Sequence, residues 1–322
     1  MQLAPTPKDT IHREGSARLY RFRRPEGAPA ESGAPLLLVP SLINRWYVLD
    51  LRRGASLAAA MTEAGIDTFC LDWGVAEDED RYLTWEAVLS RLARAIRVVR
   101  RKTGAKRVTL LGYCMGATVA GIQAALEPGG IAGFINLLGP FDFSRGGLLA
   151  DLVDARYFDA AAVAEAGNVS AAQMQSGFTL LRPTAPLAKL MGFLDRGADP
   201  AFREGFEALE AWASDNVPFP GAAYETYIRE LYQQNLLVRG RHRVGGRAVD
   251  LKSIRCPVLT VVAEKDAICP PDAAQALNQA CGSADERVIR VPGGHVGAVV
   301  GAKAATALYP EIAKWHKERT CN

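Results

Sequence analysis

Histidine is scarce in this chain of 322 residues, with four copies at positions 12, 242, 295 and 316. That scarcity speaks against a zinc cluster, which draws several imidazoles or thiolates together at short spacing. The six cysteines, at 70, 114, 256, 269, 281 and 321, form no C-x-x-C pair and no metal-finger spacing. No metal site is expected. An excess of one charge is also lacking: 38 basic residues face 35 acidic ones, for a formal net charge of +3. So even a balance gives no case for nucleic acid. No uncharged apolar run reaches bilayer length, and residues 1–16 are polar, without the apolar stretch of a secretory signal. Neither an internal repeat nor a low-complexity tract is present. At 49% hydrophobic and 23% charged residues, the composition argues against disorder, a collagen-like repeat or a coiled coil. The expectation is a globular, cytoplasmic chain whose cysteines stay thiols.

What the sequence does have is a rhythm. Residues 23–34 are rich in Pro, Gly and Ala and read as a surface loop. Short apolar runs then predict buried strands at 36–39, 68–71, 108–111 and 133–138. Helices are expected between them at 56–64, closed by Gly65, at 84–103, closed by Gly104, and at 115–126. On the second helix Val88, Leu92, Ile96 and Val99 form an apolar face. Arg91, Arg94, Arg97 and Arg101 form the other, read as a solvated face. Strand alternating with helix argues for a parallel sheet covered on both sides. From 143 to about 243 the rhythm breaks into helices and loops interrupted by Pro183, Pro186, Pro200, Pro218 and Pro220. It resumes with strands at 257–262 and 287–291, a helix at 271–280 and a closing helix at 299–317. The expected organisation is an N-terminal extension and loop (1–34), a core (35–142 with 250–322) and a mostly helical cap (143–249). Such an insertion could cover the C-terminal edge of the sheet, where sites in α/β folds form.

The sharpest chemical signal is Gly112-Tyr113-Cys114-Met115-Gly116, lying between an apolar strand and a small-residue helix. This is the G-x-S-x-G nucleophile elbow with cysteine in place of serine. Glycines two residues either side relieve crowding at a strained strand-to-helix turn, and the thiol sits at a helix N-terminus, which favours thiolate. A nucleophile of this kind needs an acid and a histidine later in the chain. His295, in Pro292-Gly293-Gly294-His295-Val296-Gly297, follows the last strand. His12 lies in the N-terminal tail, His242 in a basic loop and His316 on the terminal helix. Asp266 follows the strand at 257–262 and can accept the imidazole Nδ1–H; Glu264 is its rival, and Asp272 reads as a helix-start residue. Oxyanion donors are expected from the Met115 backbone and from Leu42 or Ile43 after the first core strand. Cysteine as the nucleophile favours acyl transfer over hydrolysis, because an enzyme thioester conserves the free energy of a thioester substrate.

Taken together, these residues make the chain resemble polyhydroxyalkanoate synthases, in particular the short catalytic subunits of the two-component (class III) kind. The similarity runs from about residue 40 to the C-terminus. Its segments are Leu42-Ile43-Asn44-Arg45-Trp46-Tyr47-Val48-Leu49-Asp50-Leu51, Leu71-Asp72-Trp73-Gly74, the Cys114 box, Trp212 with Asp215-Asn216-Val217-Pro218, Tyr232-Gln233-Gln234-Asn235-Leu236 and the His295 loop. The resemblance implies an α/β-hydrolase fold with a helical cap over a mostly parallel sheet. It implies a 3-hydroxyacyl-CoA substrate, short-chain such as 3-hydroxybutyryl-CoA, polymerised with CoA release and no cofactor. In that family the matching Cys carries the polyester and the matching His activates it, while the matching Asp helps activate the incoming 3-hydroxyl; these roles fall on Cys114, His295 and Asp266. It further implies a polyester chain or granule surface, a second synthase subunit and a homodimer as partners. The chain departs from the family at Ala267, where His is usual, and at Ala117, where the box usually ends in Gly. Trp212 and Asn235 are candidate site-lining residues, with core packing as the plainer reading; Tyr113 reads as packing and Cys269 as a turn-packing thiol. Two other readings are a cysteine hydrolase of the dienelactone hydrolase, thioesterase or depolymerase type, and a silent acyl-binding or granule-coating protein.

Overall fold

The computed structural model describes residues 2–181, 191 and 193–320. Pro183, Pro186 and Cys321, noted above, lie outside the described residues. Eight strands form one sheet: β1 (Lys8–Glu14), β2 (Ala17–Phe22), β3 (Leu36–Val39), β4 (Thr68–Asp72), β5 (Val108–Tyr113), β6 (Ile131–Leu137), β7 (Val258–Ala263) and β8 (Glu286–Val291). Their spatial order is β1-β2-β4-β3-β5-β6-β7-β8. From β4 to β8 neighbouring strands run parallel, whereas β1 and β2 are antiparallel. All four residues of β3 are buried, because a parallel strand is covered on both faces and reads as a continuous apolar run.

Side chains alternate across the sheet and divide the core in two. Leu37, Val39 and Leu110 pack with Val88, Leu92 and Val119 on one face. Leu36, Leu38 and Leu111 pack with Met61, Ile312 and Trp315 on the other. Those partners belong to helices α1 (Leu57–Glu63), α2 (Trp85–Thr103), α3 (Met115–Leu126) and, at the end of the chain, α5 (Tyr309–Thr320), with α4 (Pro271–Ala280) between β7 and β8. The ends of α2 follow from its sequence. The Thr84 hydroxyl accepts the Ala87 N–H, and Gly104 takes a left-handed conformation at φ +74°. On its outer face Arg94, Arg97 and Arg101 are exposed, while Arg94 pairs with Glu14 of β1 at 2.6 Å. That agrees with a solvated surface.

Two expectations are corrected. The first 34 residues are not merely an extension and loop: β1 and β2 extend the sheet, with Tyr20 opposite Cys70. Strand β1 is an edge with no buried residue, so it carries little apolar signal; the turn at Gly15, φ +57°, is the sequence cue that marks the hairpin. The closing helix is also not continuous. A short helix (Gly297–Val300) ends in extended backbone at Gly301, and a π-helical turn (Ala304–Leu308) precedes α5. Pro310 is tolerated because it lies in the first turn of α5.

Between β6 and β7 the chain is mostly helical: Leu148–Leu152, Ala160–Glu165, Ala171–Leu181, Pro200–Ser214 and Gly221–Thr226, the last running into a π-helical segment at Tyr227–Gln233. His242, expected in a basic loop, is fully buried. It accepts the Trp85 indole N–H on Nε2 (3.1 Å) and binds Glu230 through Nδ1 (2.9 Å). The π-helical segment is thereby tied to α2.

Candidate active site

Cys114 stands between β5 and α3 at φ 56°, ψ −129°, a region that non-glycine residues seldom occupy and that costs about 1–3 kcal/mol. The turn holds because its surroundings leave no alternative. The Cys114 N–H donates to the Leu137 carbonyl (3.0 Å), and its carbonyl accepts the Ala117 N–H (2.9 Å). A Cβ on Gly112 would lie 2.2 Å from the Ala117 Cα, and one on Gly116 would lie 2.1 Å from the Val39 carbonyl oxygen. Both glycines are therefore required by close backbone approach. The Ala117 departure is absorbed locally, since a Cβ on Gly139 would fall 2.3 Å from the Ala117 methyl.

The loops after β7 and β8 bring up the other two residues. They are joined by Glu264 N–H to the Val291 carbonyl (3.0 Å) and Lys265 N–H to the Gly293 carbonyl (2.9 Å); Gly293 supplies the positive φ of the second loop. Asp266 is buried. Its Oδ1 accepts the Ile268 and Cys269 N–H groups at 2.9 Å each, and its Oδ2 binds His295 Nδ1 at 2.7 Å. One carboxylate oxygen is thus anchored to its own loop and the other orients the imidazole. Glu264 and Asp272 are exposed and stand apart from this bond. The His295 ring also stacks on Tyr113 at 5.4 Å between centroids, so Tyr113 packs against a site residue as well as the core. His295 Nε2 is buried and meets no hydrogen-bond partner of ordinary geometry among the described residues. Burial alone disfavours the charged ring, but the charge of Cys114 and the hydrogen bond to Asp266 outweigh it and push the pKa up to about 10.

Cys114 opens into a cavity of about 310 Å³. Ile43 and Met115 line it from the core, and Leu149, Val153, Phe158, Met174, Phe178 and Phe219 line it from the insertion. Tyr224, Tyr227 and Tyr232 complete that wall. Cys269 lines the cavity too. Burial pushes its thiol well above the usual range, which keeps it a protonated wall residue. Leu42, the alternative to Ile43, lines a separate small crevice with Trp73.

Trp212 and Asn235 are not among the cavity's lining residues. The Trp212 indole N–H is drawn to the Arg45 carbonyl (3.0 Å). Asn235 takes a positive φ of 49°, accepts the Phe143 N–H (3.0 Å) and donates to Asp142 (2.8 Å). Both amide ends of Asn235 thus tie the segment at 142–143 to the end of the π-helical segment. Among the described residues no group of three or more His, Cys, Asp or Glu could hold a metal ion, and no helix is long and apolar enough to cross a membrane.

Comparison with known proteins gives concordant results. The alpha/beta hydrolase fold family matches residues 34–302. A "Poly(3-hydroxyalkanoate) polymerase subunit PhaC" from Allochromatium vinosum is 33% identical over 98% of this chain and 89% of its own length. The protein of the same name from a Synechocystis strain is 32% identical over 99% of this chain and 86% of its own. Among solved structures, a hydrolase from Pseudomonas aeruginosa superposes with a TM-score of 0.59 at 15% identity, over 96% of this chain and 97% of that one, a likeness of fold. With the elbow, the strand order and these relatives in agreement, the chain belongs to the poly(3-hydroxyalkanoate) polymerase PhaC family of the α/β-hydrolase superfamily.

Proposed function

We propose that this protein is an acyltransferase that polymerises 3-hydroxyacyl-CoA thioesters into polyhydroxyalkanoate, with Cys114, His295 and Asp266 as its catalytic residues. The observation that carries the reading is a cysteine on a strained elbow, facing an apolar cavity, whose neighbour Tyr113 packs on an imidazole that a buried aspartate aligns. In the first half-reaction His295 takes the Cys114 proton, and the thiolate attacks the thioester carbonyl. The bond from acyl carbon to the CoA sulfur breaks, and CoA leaves with the proton from His295. The tetrahedral oxyanion is met by the Met115 N–H, free at the first turn of α3, and by the N–H of Ile43, with Leu42 the alternative; one such donor contributes about 3 kcal/mol. In the second half-reaction the 3-hydroxyl of another monomer loses its proton to the His295–Asp266 pair and attacks the Cys114 thioester. An ester forms as the bond from the acyl carbon to the Cys114 sulfur breaks and the sulfur takes the proton back; renewed attack by Cys114 on the CoA thioester of the extended chain then releases CoA and returns the chain, one unit longer, to the enzyme.

The hydrogen bond from His295 Nδ1 to Asp266 Oδ2 aligns the imidazole for that proton transfer, and the apolar walls suit an acyl chain. Short 3-hydroxyacyl units such as 3-hydroxybutyryl are the proposed substrate, without a cofactor. The growing polyester, a second synthase subunit and a second copy of this chain are the proposed partners, with the enzyme working in the cytoplasm at polyester granules. Intact-mass spectrometry after incubation with 3-hydroxybutyryl-CoA tests this. Released CoA with growing adducts on Cys114 is expected. Free 3-hydroxy acid without chain growth would place the protein among cysteine hydrolases instead.

A further inference from the structure

The loop that leaves β3 has no regular structure over residues 41–45, so its backbone is held by whatever binds it. The core supplies the Trp73 indole N–H to the Pro40 carbonyl (2.8 Å) and the Val48 N–H to the Arg45 carbonyl (3.4 Å), and the rest comes from one short stretch of the insertion. The Val217 N–H donates to the Ile43 carbonyl (3.3 Å). The Asn44 amide donates to Asn216 Oδ1 (2.6 Å), the Trp212 indole N–H to the Arg45 carbonyl (3.0 Å) and the Tyr47 hydroxyl to Asp215 Oδ2 (2.6 Å). Arg45 adds an ion pair to that carboxylate at 3.4 Å. The joint reaches further: Asn216 Nδ2 donates to Gln175 Oε1 (3.0 Å), on the helix Ala171–Leu181, whose Met174 and Phe178 line the cavity. The segments that resembled the family separately, residues 42–51 and residues 212–218, are therefore two halves of one contact.

We propose that Trp212 and Asn216 are positioning residues that hold the Ile43 backbone N–H in place over Cys114, so that the oxyanion pocket is complete only when the insertion is seated. The inference rests on the acyl-transfer reading above. Its physical basis is that a hydrogen-bond donor aids a tetrahedral intermediate only where the oxyanion forms, and a displacement of about 1 Å costs on the order of a hundredfold in rate. The contacts fall on three successive residues of the loop: Val217 on the Ile43 carbonyl, Asn216 on the Asn44 side chain and Trp212 on the Arg45 carbonyl.

The test compares two reactions of the same sulfur. Acylation of Cys114 by 3-hydroxybutyryl-CoA, followed as single-turnover CoA release, develops an oxyanion; alkylation by iodoacetamide is displacement at a saturated carbon and develops none. Trp212→Phe keeps an aromatic ring and removes the indole donor, while Asn216→Ala cuts the link to both Asn44 and Gln175. Each should slow acylation by about tenfold or more and leave alkylation within about twofold, with KM little changed. Asn216→Asp, which keeps an acceptor for Asn44, should restore part of the loss. Acylation at the wild-type rate in both variants would overturn the inference, as would acylation and alkylation falling in parallel, the mark of a merely structural role. Should Trp212→Phe fold poorly, Tyr47→Phe probes the same joint. A wild-type protein that is alkylated normally but never acylated fails in a different way, removing the acyl-transfer reading and the inference with it.

Discussion

The two sides of the active-site cavity are made differently. On the core side, backbone does most of the fixing: a positive φ at Cys114, glycines at 112 and 116 with no room for a Cβ, and an aspartate pinned by two N–H groups of its own loop. On the insertion side, side chains do the fixing: a histidine between Trp85 and Glu230, a tryptophan on a carbonyl, and aromatic rings against one another. Backbone constraints admit few residue types at few spacings, so they leave a legible pattern. Side-chain constraints can be met by many combinations, so the same region of another chain can look unlike this one and still form a wall.

This contrast can be broken or sharpened by substitution. The largest effect is expected at Cys114→Ala, which should abolish CoA release while unfolding in urea shifts by no more than about 1 kcal/mol; residual turnover above a few per cent would remove Cys114 from the chemistry. His295→Gln comes next, lowering the rate by about 10²–10⁴-fold. Its pH signature has a definite sign. A pKa raised to about 10 means that the protonated ring stabilises the fold fully below its ordinary value near 6.5 and ceases to do so as pH climbs through about 10. The stability difference between wild type and His295→Gln, from urea titrations across that range, should shrink toward the alkaline end; a constant difference would contradict the ion pair. Gly116→Ala tests the backbone side on stability, and the 2.1 Å approach to Val39 should cost about 1–3 kcal/mol. On the insertion side effects should be milder. Burial lowers the pKa of His242 against the pull of Glu230, so the folded state resists its protonation and loses stability as pH falls below about 6.5. His242→Gln should flatten that acid limb in thermal melts between about pH 7 and 5, and an unchanged slope would assign it to other groups. The smallest effect is expected for Met174→Ala, a change of a few-fold in the KM for 3-hydroxybutyryl-CoA with kcat nearly constant.

How much was legible in the sequence follows the same division. Strands β3 to β7 and the elbow were readable because burial on both faces demands unbroken apolar runs, and because a strand–turn–helix with flanking glycines has few other uses. The pairing of His295 with Asp266 followed from each standing just after a strand. Strand β1 was not readable, since an edge strand needs no apolar side. The break at Gly301 was missed because the apolar pattern continues across it. His242 read as part of a basic loop, and its burial follows from partners the sequence does not mark, Trp85, 157 residues away, and Glu230. Trp212 and Asn235 were marked as site residues on resemblance alone, where their hydrogen bonds place them in the supports of loops.

The contact between Ala117 and Gly139 carries a last consequence. The space for a single methyl group lies between the first turn of α3 and the segment after β6, and in this chain α3 occupies it. Position 139 itself has no room for a side chain, because a Cβ there would also lie 2.7 Å from the Cys114 carbonyl oxygen and 2.8 Å from Asn136 Oδ1. A side chain at 139 is thus excluded by the nucleophile's own peptide as well as by the Ala117 methyl, so a glycine more than twenty positions downstream belongs to the architecture of the elbow.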